Sequence, residues 1–437
     1  MSRILPDPVT SDRDLPQKVD VVIIGGGIIG VSAALTLAER GVSVALCEKG
    51  LIAGEQSGRN WGWVRQMGRD PAELPLSILS LARWNQMNER TGEETGFRQT
   101  GIAYLCRNAH QEGEYEKWLV HAREHELDSR MLRTEELRQH FSGLTNGFTG
   151  ALYTSTDGRA EPQKAAPAIA KAAARAGAHV FTGCAVRCVE TSAGSVSAVI
   201  TEKGRIECSA TVLAGGAWSR LFTGNMALDF PQLKILATVA RTTPVNGAPE
   251  MPVGADNFSF RKHIDGSYSI AMRNANIAPI VPDSFRLFAD FLPSLVKTWR
   301  ELTLRIGSRF IDEWKTPRSW RPDEISPFEQ IRVLDPVPVD RFNRAGFSHL
   351  AKAFPAFANA KILQSWAGLI DVTPDAIPVI GPVNSVPGFY IASGFSGHGF
   401  GIGPGAGELI AEIVMGGATS VDPKPFRFDR FKRTKGH

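Results

Sequence analysis

The stretch that decides the fold is residues 20–49, which read DVVIIGGGIIGVSAALTLAERGVSVALCEK. A short apolar run at Val21–Ile24 leads into three glycines with the spacing G-x-G-x-x-G, namely Gly25, Gly27 and Gly30. An alanine- and leucine-rich pattern typical of a helix follows, and a second apolar run closes the stretch. This order predicts a strand, a tight turn, a helix and a second strand.

Each part of this unit suits the binding of a dinucleotide. Glycines let the backbone approach a pyrophosphate, and the start of the helix offers unpaired amides and a positive dipole end to the anion. Glu48 ends the second strand, about 20 residues after the glycines, where a carboxylate accepts hydrogen bonds from a ribose. A carboxylate there repels a 2′-phosphate, which disfavours NADP. The alternative, a glycine-rich core turn without a ligand, does not account for the helix and the acid in register.

The composition is that of an ordinary globular protein and argues against some functions. The chain has 437 residues, which favours two or three domains. A formal net charge of +4 indicates no nucleic-acid partner. The five cysteines form no C-x-x-C pair, so we expect neither a disulfide framework nor a metal site. The N-terminus has no pattern of a secretory signal, and the expected compartment is the cytoplasm.

The rest of the chain divides into two kinds of sequence. Helix and strand patterns alternate again at residues 161–186, 210–218 and 388–414. Residues 223–360 are instead rich in proline, and their aromatic and polar residues alternate as in antiparallel strands. We therefore expect an α/β Rossmann-like domain plus an α+β domain with a mainly antiparallel sheet. Residues 284–304 have helical spacing, which favours a core-packed helix over a lid or membrane-facing helix.

Three motifs together resemble the flavin-dependent amine and amino acid oxidoreductases of the D-amino acid oxidase family, which includes glycine oxidase and sarcosine oxidase. The motifs are the glycine fingerprint with Glu48, residues 213–219 (LAGGAWS) and residues 394–400 (GFSGHGF). The resemblance covers nearly the whole chain and implies FAD as the cofactor. It also implies a discontinuous FAD-binding domain at residues 16–80, 145–222 and 361–420. A substrate-binding domain would take residues 81–144 and 223–360, and residues 421–437 would form a basic C-terminal tail.

The resemblance further implies which residues contact the cofactor. The C-terminal glycine loop is expected to open a helix at about Pro404, whose N-terminus would face the negative charge of the reduced flavin. His398 either stabilises that charge or is an ordinary hydrogen-bonded loop histidine. The expected FAD contacts are Gly25, Gly27, Ile28, Ile29, Gly30, Glu48, Lys49, Ser57, Arg59, Asn60, Val186, Ala214, Gly215, Trp218, Gly368, Gly394, Gly397, His398, Gly399, Phe400, Gly401 and Ile402.

Residues 56–66 follow the second strand, and in the family this region passes beside the flavin ring. Arg65 stands where the sarcosine oxidase group has an arginine that binds the substrate carboxylate, so the resemblance makes it the first choice for that role. The alternative is a salt bridge between domains. Asn60, Trp61 and His398 complete the expected catalytic set. Arg59 and Arg69 are further candidates for binding the carboxylate, and Arg261 and Arg273, on expected strands of the second domain, are candidates for the facing wall.

Two departures from the sarcosine oxidase pattern bear on the chemistry. Gly401 stands where that group has a lysine that shares the carboxylate. Residues 366–368 include no cysteine, although that group attaches its flavin covalently at such a position. We therefore expect non-covalent FAD and a substrate other than plain sarcosine. The lysine linked to oxygen activation has no clear counterpart, which leaves O₂ and other electron acceptors both open.

These features predict FAD-dependent oxidation of a C–N bond in a D-amino acid, an N-alkyl amino acid or a related small amine. A hydride passes from the carbon that bears nitrogen to the flavin, and the resulting imine hydrolyses in water. The same site would suit a 2-hydroxy acid. Two further alternatives are a non-catalytic flavin-binding subunit of a larger complex and an NAD-binding protein without flavin.

Overall fold

The computed structural model describes residues 4–298 and 302–431. The strand Val21–Ile24 lies inside a mostly parallel sheet, because its continuous apolar run is buried on both faces. It pairs in parallel with a strand on each side. The strand order is Val379–Pro382, Phe389–Ser393, Ala210–Leu213, Val21–Ile24, Val44–Cys47 and His179–Phe181, and the first two strands are antiparallel to each other. The predicted Rossmann-like domain is confirmed.

The two faces of this sheet pack against different layers. Alternate residues of a strand point to opposite faces, and Val21 and Ile23 face a core shared with helices Ile28–Glu39, Pro162–Arg175 and Gly399–Met415. Val22 and Ile24 face a second core, which includes buried residues of a small antiparallel sheet. The strands of that sheet are Val186–Ser192, Ser195–Thr201 and Gly204–Glu207.

A larger, mainly antiparallel sheet forms the second part of the molecule, as the aromatic–polar alternation predicts. Its strand order is Leu302–Arg305, Asn276–Pro279, Leu233–Thr242, Tyr268–Ala271, Ser259–Lys262, Val253–Gly254, Ile102–Cys106, Gly150–Thr154 and Ser129–Arg133, with Ile362–Val372 also paired to Leu233–Thr242. Gly150–Thr154 and Ile362–Val372 come from segments expected in the FAD-binding domain. A third sheet joins Trp63–Val64, Gly158–Arg159 and Arg98–Gln99.

Further helices, of 4 to 16 residues, connect the strands of these sheets. The remaining α-helices are Gln56–Arg59, Leu74–Asn85, Met87–Thr91, Ala109–Glu124, Thr134–His140, Ser219–Asn225, Pro282–Arg286, Phe288–Thr298, Ser308–Lys315, Pro327–Gln330 and Asp340–Ala353. The 3₁₀ helices are Pro71–Glu73, Gly216–Trp218, Pro355–Phe357, Lys424–Phe426 and Phe428–Phe431.

The prediction of one core-packed helix over residues 284–304 is wrong. The chain turns at Leu287, between two helices, and Leu302–Arg305 is a strand of the large sheet. Phe288 and Leu292, on the predicted core face, lie in the second of these helices and are 55% and 42% exposed, so this face is not packed on a core. Trp299, the last residue of that predicted face, lies outside the described residues. Among the described residues, no helix combines the length and apolar character needed to cross a membrane.

The helix after the C-terminal glycine loop begins at Gly399, earlier than the start expected near Pro404. The glycines inside it are needed for packing between helices. A Cβ on Gly403 would lie 2.7 Å from the Ile28 side chain, and one on Gly407 would lie 2.4 Å from the Ser32 side chain. The second half of the glycine run therefore belongs to a helix that packs closely on Ile28–Glu39. It is not part of a ligand-binding loop.

The described part of the C-terminal tail is docked on the body of the protein. Val421 is 7% exposed and Phe426 is fully buried in the helix-covered core. Phe428 and Phe431 pack against the second core. The expected basic tail is thus anchored by apolar side chains as far as residue 431, and residues 432–437 lie outside the described chain.

Candidate active site

A long cavity opens at the carboxyl ends of three central strands of the parallel sheet. Gly25 follows the first of these strands, Glu48 the second and Ala214 the third, and all three residues line the cavity. Ligands of open α/β sheets bind at this edge. From there the cavity extends to an aromatic region beside the large sheet, where Trp61, Trp63 and Tyr104 form part of its wall.

The glycine turn at the first strand is shaped for close backbone packing. Gly25 has a φ of +111°, which favours glycine over residues with a side chain. A Cβ on Gly30 would lie 2.0 Å from the Gly25 carbonyl oxygen, so the helix can approach the strand only because that position is glycine. Gly25, Gly27, Ile28 and Ile29 line the cavity, whereas Gly30 does not. Gly30 therefore contributes helix–strand packing, and its expected contact with the cofactor is corrected.

Glu48 is held at the adenosine end of the cavity by two backbone amides. The amides of Gly26 and Gly50 each donate a hydrogen bond of 2.7 Å to its carboxylate. Burial raises the pKa of Glu48, and the nearby Lys49 ammonium and these amides oppose that rise. The carboxylate is thus fixed where a ribose would lie, as the fingerprint predicts.

Replacement of Glu48 by glutamine should weaken FAD binding. The glutamine NH₂ group is a donor and would face one of the two donating backbone amides, so one hydrogen bond is lost. The negative charge that would accept hydrogen bonds from the ribose is lost as well. A hydrogen bond of this charged type contributes about 1.5–3 kcal/mol, so the Kd for FAD should rise about 10- to 100-fold. Quenching of flavin fluorescence on titration of apoprotein measures this, and Glu114→Gln, a change at an exposed helical carboxylate, is the control. Equal affinities in all three proteins would contradict the assignment.

Lys49 and Trp218 line the cavity in a closed polar cluster. The Lys49 ammonium lies 2.7 Å from the Glu55 carboxylate and 4.5 Å from the centre of the Trp218 ring. The Trp218 indole N–H in turn donates to Glu55 at 3.0 Å. Glu55, which the sequence analysis missed, is therefore the residue that orders this part of the wall.

Arg59 has one buried guanidinium nitrogen without a partner. Its Nη1 donates to Asp335 at 2.6 Å and to the Ala367 carbonyl at 2.9 Å, and its Nε donates to the Gly54 carbonyl. The side chain is 2% exposed and borders the cavity, yet Nη2 has no hydrogen-bond partner. A buried unpaired donor is costly. Arg59 thus fits a polar cofactor group at this place.

Asn60 is occupied by local hydrogen bonds, although it borders the cavity. Its amide donates to the carbonyls of Gln56 and Ser57, and its carbonyl accepts from the Gly62 amide. These bonds end the short helix Gln56–Arg59. Asn60 is therefore a residue that shapes the loop, and its predicted catalytic role is not supported by its geometry.

Arg65 and Arg69 lie together in the wall of the aromatic end. Arg65 donates to the Met67 carbonyl, and its guanidinium lies 5.5 Å from the centre of the Tyr104 ring. Arg69 is 4% exposed, and its Nη1 has no hydrogen-bond partner. Burial, followed by the positive charge of Arg65, lowers the pKa of Arg69 to about 9. Two adjacent cations, one of them buried with an unpaired donor, form a site suited to an anion.

The other two arginine candidates lie behind the wall. Arg261 is 1% exposed, donates to the Trp61 carbonyl at 2.8 Å and pairs with Glu161 at 2.7 Å. It therefore anchors the Trp61 loop and does not face a substrate. Arg273 lies 4.3 Å from the Tyr104 ring, on which it packs without lining the cavity. The expectation that these two residues form the facing wall is corrected.

His398 lines the cavity near Arg69, immediately before the C-terminal helix. Its Nδ1 is 3.2 Å from a carboxylate oxygen of Glu73, which is fully buried. Desolvation and the positive charge of Arg69 lower the pKa of His398, and Glu73 opposes them. Burial alone would raise the pKa of Glu73, but the hydrogen bond with His398 and the positive charges around the carboxylate, Arg69 and Arg65 among them, make the net shift downward. His398 is thus neutral and Glu73 ionised near pH 7.

Most of the expected cofactor contacts line the cavity, and three do not. Gly394 does not line the cavity, and its amide donates a hydrogen bond of 2.8 Å to the Asp371 carboxylate. Ile402 is fully buried in the helix-covered core, and Gly30 packs against Gly25 as described. The expected site residues that line the cavity are Gly25, Gly27, Ile28, Ile29, Glu48, Lys49, Ser57, Arg59, Asn60, Val186, Ala214, Gly215, Trp218, Gly368, Gly397, His398, Gly399, Phe400 and Gly401, together with Trp61 and Arg65.

Several wall residues escape sequence reasoning. Tyr104, Asn276 and Val239 come from the large sheet, and Phe328 and Arg332 come from a segment with no recognisable motif. Only the tertiary structure brings them to the cavity. Within the described residues, no group of three or more histidine, cysteine, aspartate or glutamate side chains is placed to hold a metal ion.

Comparisons with known proteins agree with this geometry. The solved structure of L-amino acid deaminase from Proteus myxofaciens in complex with anthranilate is 36% identical, with a TM-score of 0.95, and the match covers 99% of this chain and 97% of that chain. Glycine oxidase from Pseudomonas aeruginosa is 25% identical over 93% of this chain and 97% of its own length.

A third relative is longer than this chain. The 4-methylaminobutanoate oxidase (formaldehyde-forming) of Paenarthrobacter nicotinovorans is 26% identical over 97% of this chain but only 47% of its own length. The chain spans about half the length of the first curated relatives that it matches. The family model described as FAD dependent oxidoreductase, DAO, matches residues 20–413. The chain therefore belongs to the DAO family of FAD-dependent oxidoreductases.

Proposed function

We propose that this protein oxidises the C–N bond of an α-amino acid, with an L-amino acid as the first candidate. The observation that carries the proposal is the Arg65–Arg69 pair at the aromatic end of the cavity, where Arg69 is buried with an unpaired donor. The similarity to L-amino acid deaminase, at 36% identity over 99% of this chain, supports the substrate class and its configuration.

The residues present fit FAD along the whole cavity. Glu48 would hold the ribose, and the start of helix Ile28–Glu39 would hold the pyrophosphate. Arg59 offers its unpaired Nη2, and the start of helix Gly399–Met415 offers amides to the flavin end. FAD, when bound, supplies the acceptor for a hydride from the α-carbon.

The chain's own residues bind and orient the substrate. Arg65 can take the carboxylate through two parallel hydrogen bonds, which fixes the α-carbon, and Arg69 adds a second positive charge beside it. Trp61, Trp63 and Tyr104 line this end of the cavity with contacting aromatic rings, which would leave little room for water around a bound substrate. A dry site strengthens each of these electrostatic contacts. The imine that leaves the site would hydrolyse to an α-keto acid and ammonia.

N-methyl amino acids are the second candidate substrates. The support is the similarity to 4-methylaminobutanoate oxidase and to sarcosine and dimethylglycine dehydrogenases, in each of which less than half of the relative's length is matched. Because these relatives oxidise C–N bonds, the similarity does not favour the two alternatives for this chain, which are oxidation of a 2-hydroxy acid and a non-catalytic subunit.

Turnover with a substrate panel tests the proposal. Purified holoenzyme is mixed with L-amino acids, D-amino acids, N-methyl amino acids and 2-hydroxy acids, and α-keto acid or aldehyde is assayed with O₂ and then with an artificial acceptor. We expect product from L-amino acids. Product from N-methyl substrates alone would favour the second candidate, and product from 2-hydroxy acids alone would overturn both.

We also propose that FAD is held without a covalent bond. The sequence around Trp366 has no cysteine, and the cysteine in the described cavity wall, Cys47, is 1% exposed. Acid precipitation of the yellow protein should therefore release all of the flavin into the supernatant. A yellow pellet that retains flavin after washing would contradict this.

A further inference from the structure

A second cavity lies on the far side of His398. It is lined by Gly68, Arg69, Asp70, Pro71, Glu73, Lys117, Trp118, His121, Asp375, Ala376, Ile377 and His398. The two cavities share Arg69 and His398 as lining residues. These two side chains therefore form the partition between the active site and the second cavity. Glu73 lines the second cavity but not the active-site cavity.

The contact with Glu73 fixes which nitrogen of His398 carries the proton. An ionised carboxylate can only accept hydrogen bonds, so in the 3.4 Å hydrogen bond between His398 Nδ1 and Glu73 Oε1 the imidazole nitrogen carries the hydrogen. The Nε2 atom of the neutral ring is then an acceptor. A histidine that borders the cavity and is oriented by a carboxylate through Nδ1 is an arrangement that general-base catalysis uses.

The charges around His398 keep the ring ready to accept a proton. Desolvation lowers the pKa of His398, and Arg69 and Arg65, which face the ring from the active-site wall, lower it further. Glu73 faces it from the helix side and raises it. The other ionisable groups around the second cavity are Asp70, Lys117, His121 and Asp375. The ring is therefore neutral near pH 7 and becomes charged only when the pH falls.

We propose that His398 and Glu73 form a proton relay between the active site and the second cavity. The proposal rests on the amino acid oxidation proposed above. An N–H bond of the substrate ammonium breaks, and an Nε2–H bond forms on His398. The Nδ1 proton passes to Glu73 and then to water in the second cavity. The amine is left neutral, as loss of hydride from its α-carbon requires. His398 touches substrate in this scheme, and Glu73 is a positioning and relay residue.

The pH dependence of His398→Gln tests the relay. Without the base, the enzyme must bind the fraction of substrate whose amine is already neutral. We expect kcat/KM to fall about 100-fold near neutral pH and to recover as the pH rises towards the pKa of the free amine. The wild type should be nearly independent of pH over that range. A loss of the same size at every pH would show a structural role and overturn the relay.

Glu73→Gln keeps the shape of the buried side chain and removes its negative charge and its ability to take up a proton. Because Glu73 raises the pKa of His398, this variant should titrate His398 at lower pH than the wild type. NMR of holoenzyme labelled with ¹⁵N-histidine measures this, and His398→Gln identifies the signal. An unchanged His398 pKa would overturn the proposed contact. We also expect kcat/KM of Glu73→Gln to fall near neutral pH.

Two controls separate the relay from other effects. His179→Gln alters a half-exposed histidine on the edge strand of the parallel sheet and should leave the pH profile unchanged. The FAD affinity of each variant is measured as well, and the kinetics are compared at saturating FAD. If wild-type holoenzyme oxidises no amino acid, the proposed function fails. If it does so and His398→Gln shows no pH-dependent defect, the relay alone fails.

Discussion

Replacement of Arg65 by methionine is expected to reduce kcat/KM for amino acid substrates by about two to three orders of magnitude. Loss of one partner of a desolvated charge pair costs about 2–5 kcal/mol, and the carboxylate contact also holds the α-carbon in place for reaction. Arg65→Lys keeps the charge but loses the two parallel hydrogen bonds, so an intermediate loss is expected. Steady-state kinetics on all three proteins measures the effect.

The choice of substrate decides whether that loss comes from the carboxylate. Arg65 also donates to the Met67 carbonyl, so methionine could disturb the loop. An amine that lacks the carboxylate should lose little activity in the Arg65→Met enzyme, whereas the amino acid loses much. Arg138→Met, a change at a side chain that is 69% exposed, is the matched control. Equal losses with both substrates would contradict the role of Arg65.

Gly30→Val is expected to abolish FAD binding and to give colourless protein. A Cβ at this position would lie 2.0 Å from the Gly25 carbonyl oxygen, which is backbone and cannot move aside without shifting the glycine turn. The turn would then no longer present the helix start to the pyrophosphate. Absorbance of the purified protein, before and after incubation with FAD, measures the effect.

A matched glycine separates this effect from a general loss of stability. Gly113 lies in helix Ala109–Glu124, and a Cβ there would meet no atom within 4 Å. Gly113→Val should therefore remain yellow, although valine is a modest helix former. Circular dichroism checks that the Gly30→Val protein is folded. A folded, yellow Gly30→Val enzyme with normal FAD affinity would contradict the account of the turn.

The features predicted correctly from the sequence are those that local chemistry fixes. Gly25, Gly27 and Glu48 lie where the fingerprint places them, because turn, helix and terminal acid are set by residues close in the chain. The resemblance to the family predicted that Arg65 lies beside the substrate, and Arg65 does line the cavity. The predictions failed where long-range packing decides the outcome. The glycine run near Pro404 is a helix because Gly403 and Gly407 pack against helix Ile28–Glu39, which lies far away in sequence.

The ion pairs of the site could not be predicted from the sequence either. Arg261 and Arg65 both stand beside aromatic residues in the sequence. Arg261 is nevertheless buried, because it pairs with the buried carboxylate of Glu161. Glu73 pairs with His398 across 325 positions in sequence, and no motif joins them. Their chemistry follows from burial and from the neighbouring charges, which a single sequence does not display.

The central claim is that an amino acid reduces the FAD held between Glu48 and the helix that begins at Gly399. Mixing the yellow holoenzyme with L-amino acids without oxygen tests this most directly. The account predicts that the flavin colour bleaches and that one α-keto acid and one ammonium form per flavin. Oxidised colour that persists with every amino acid, both enantiomers and the N-methyl forms included, would contradict it.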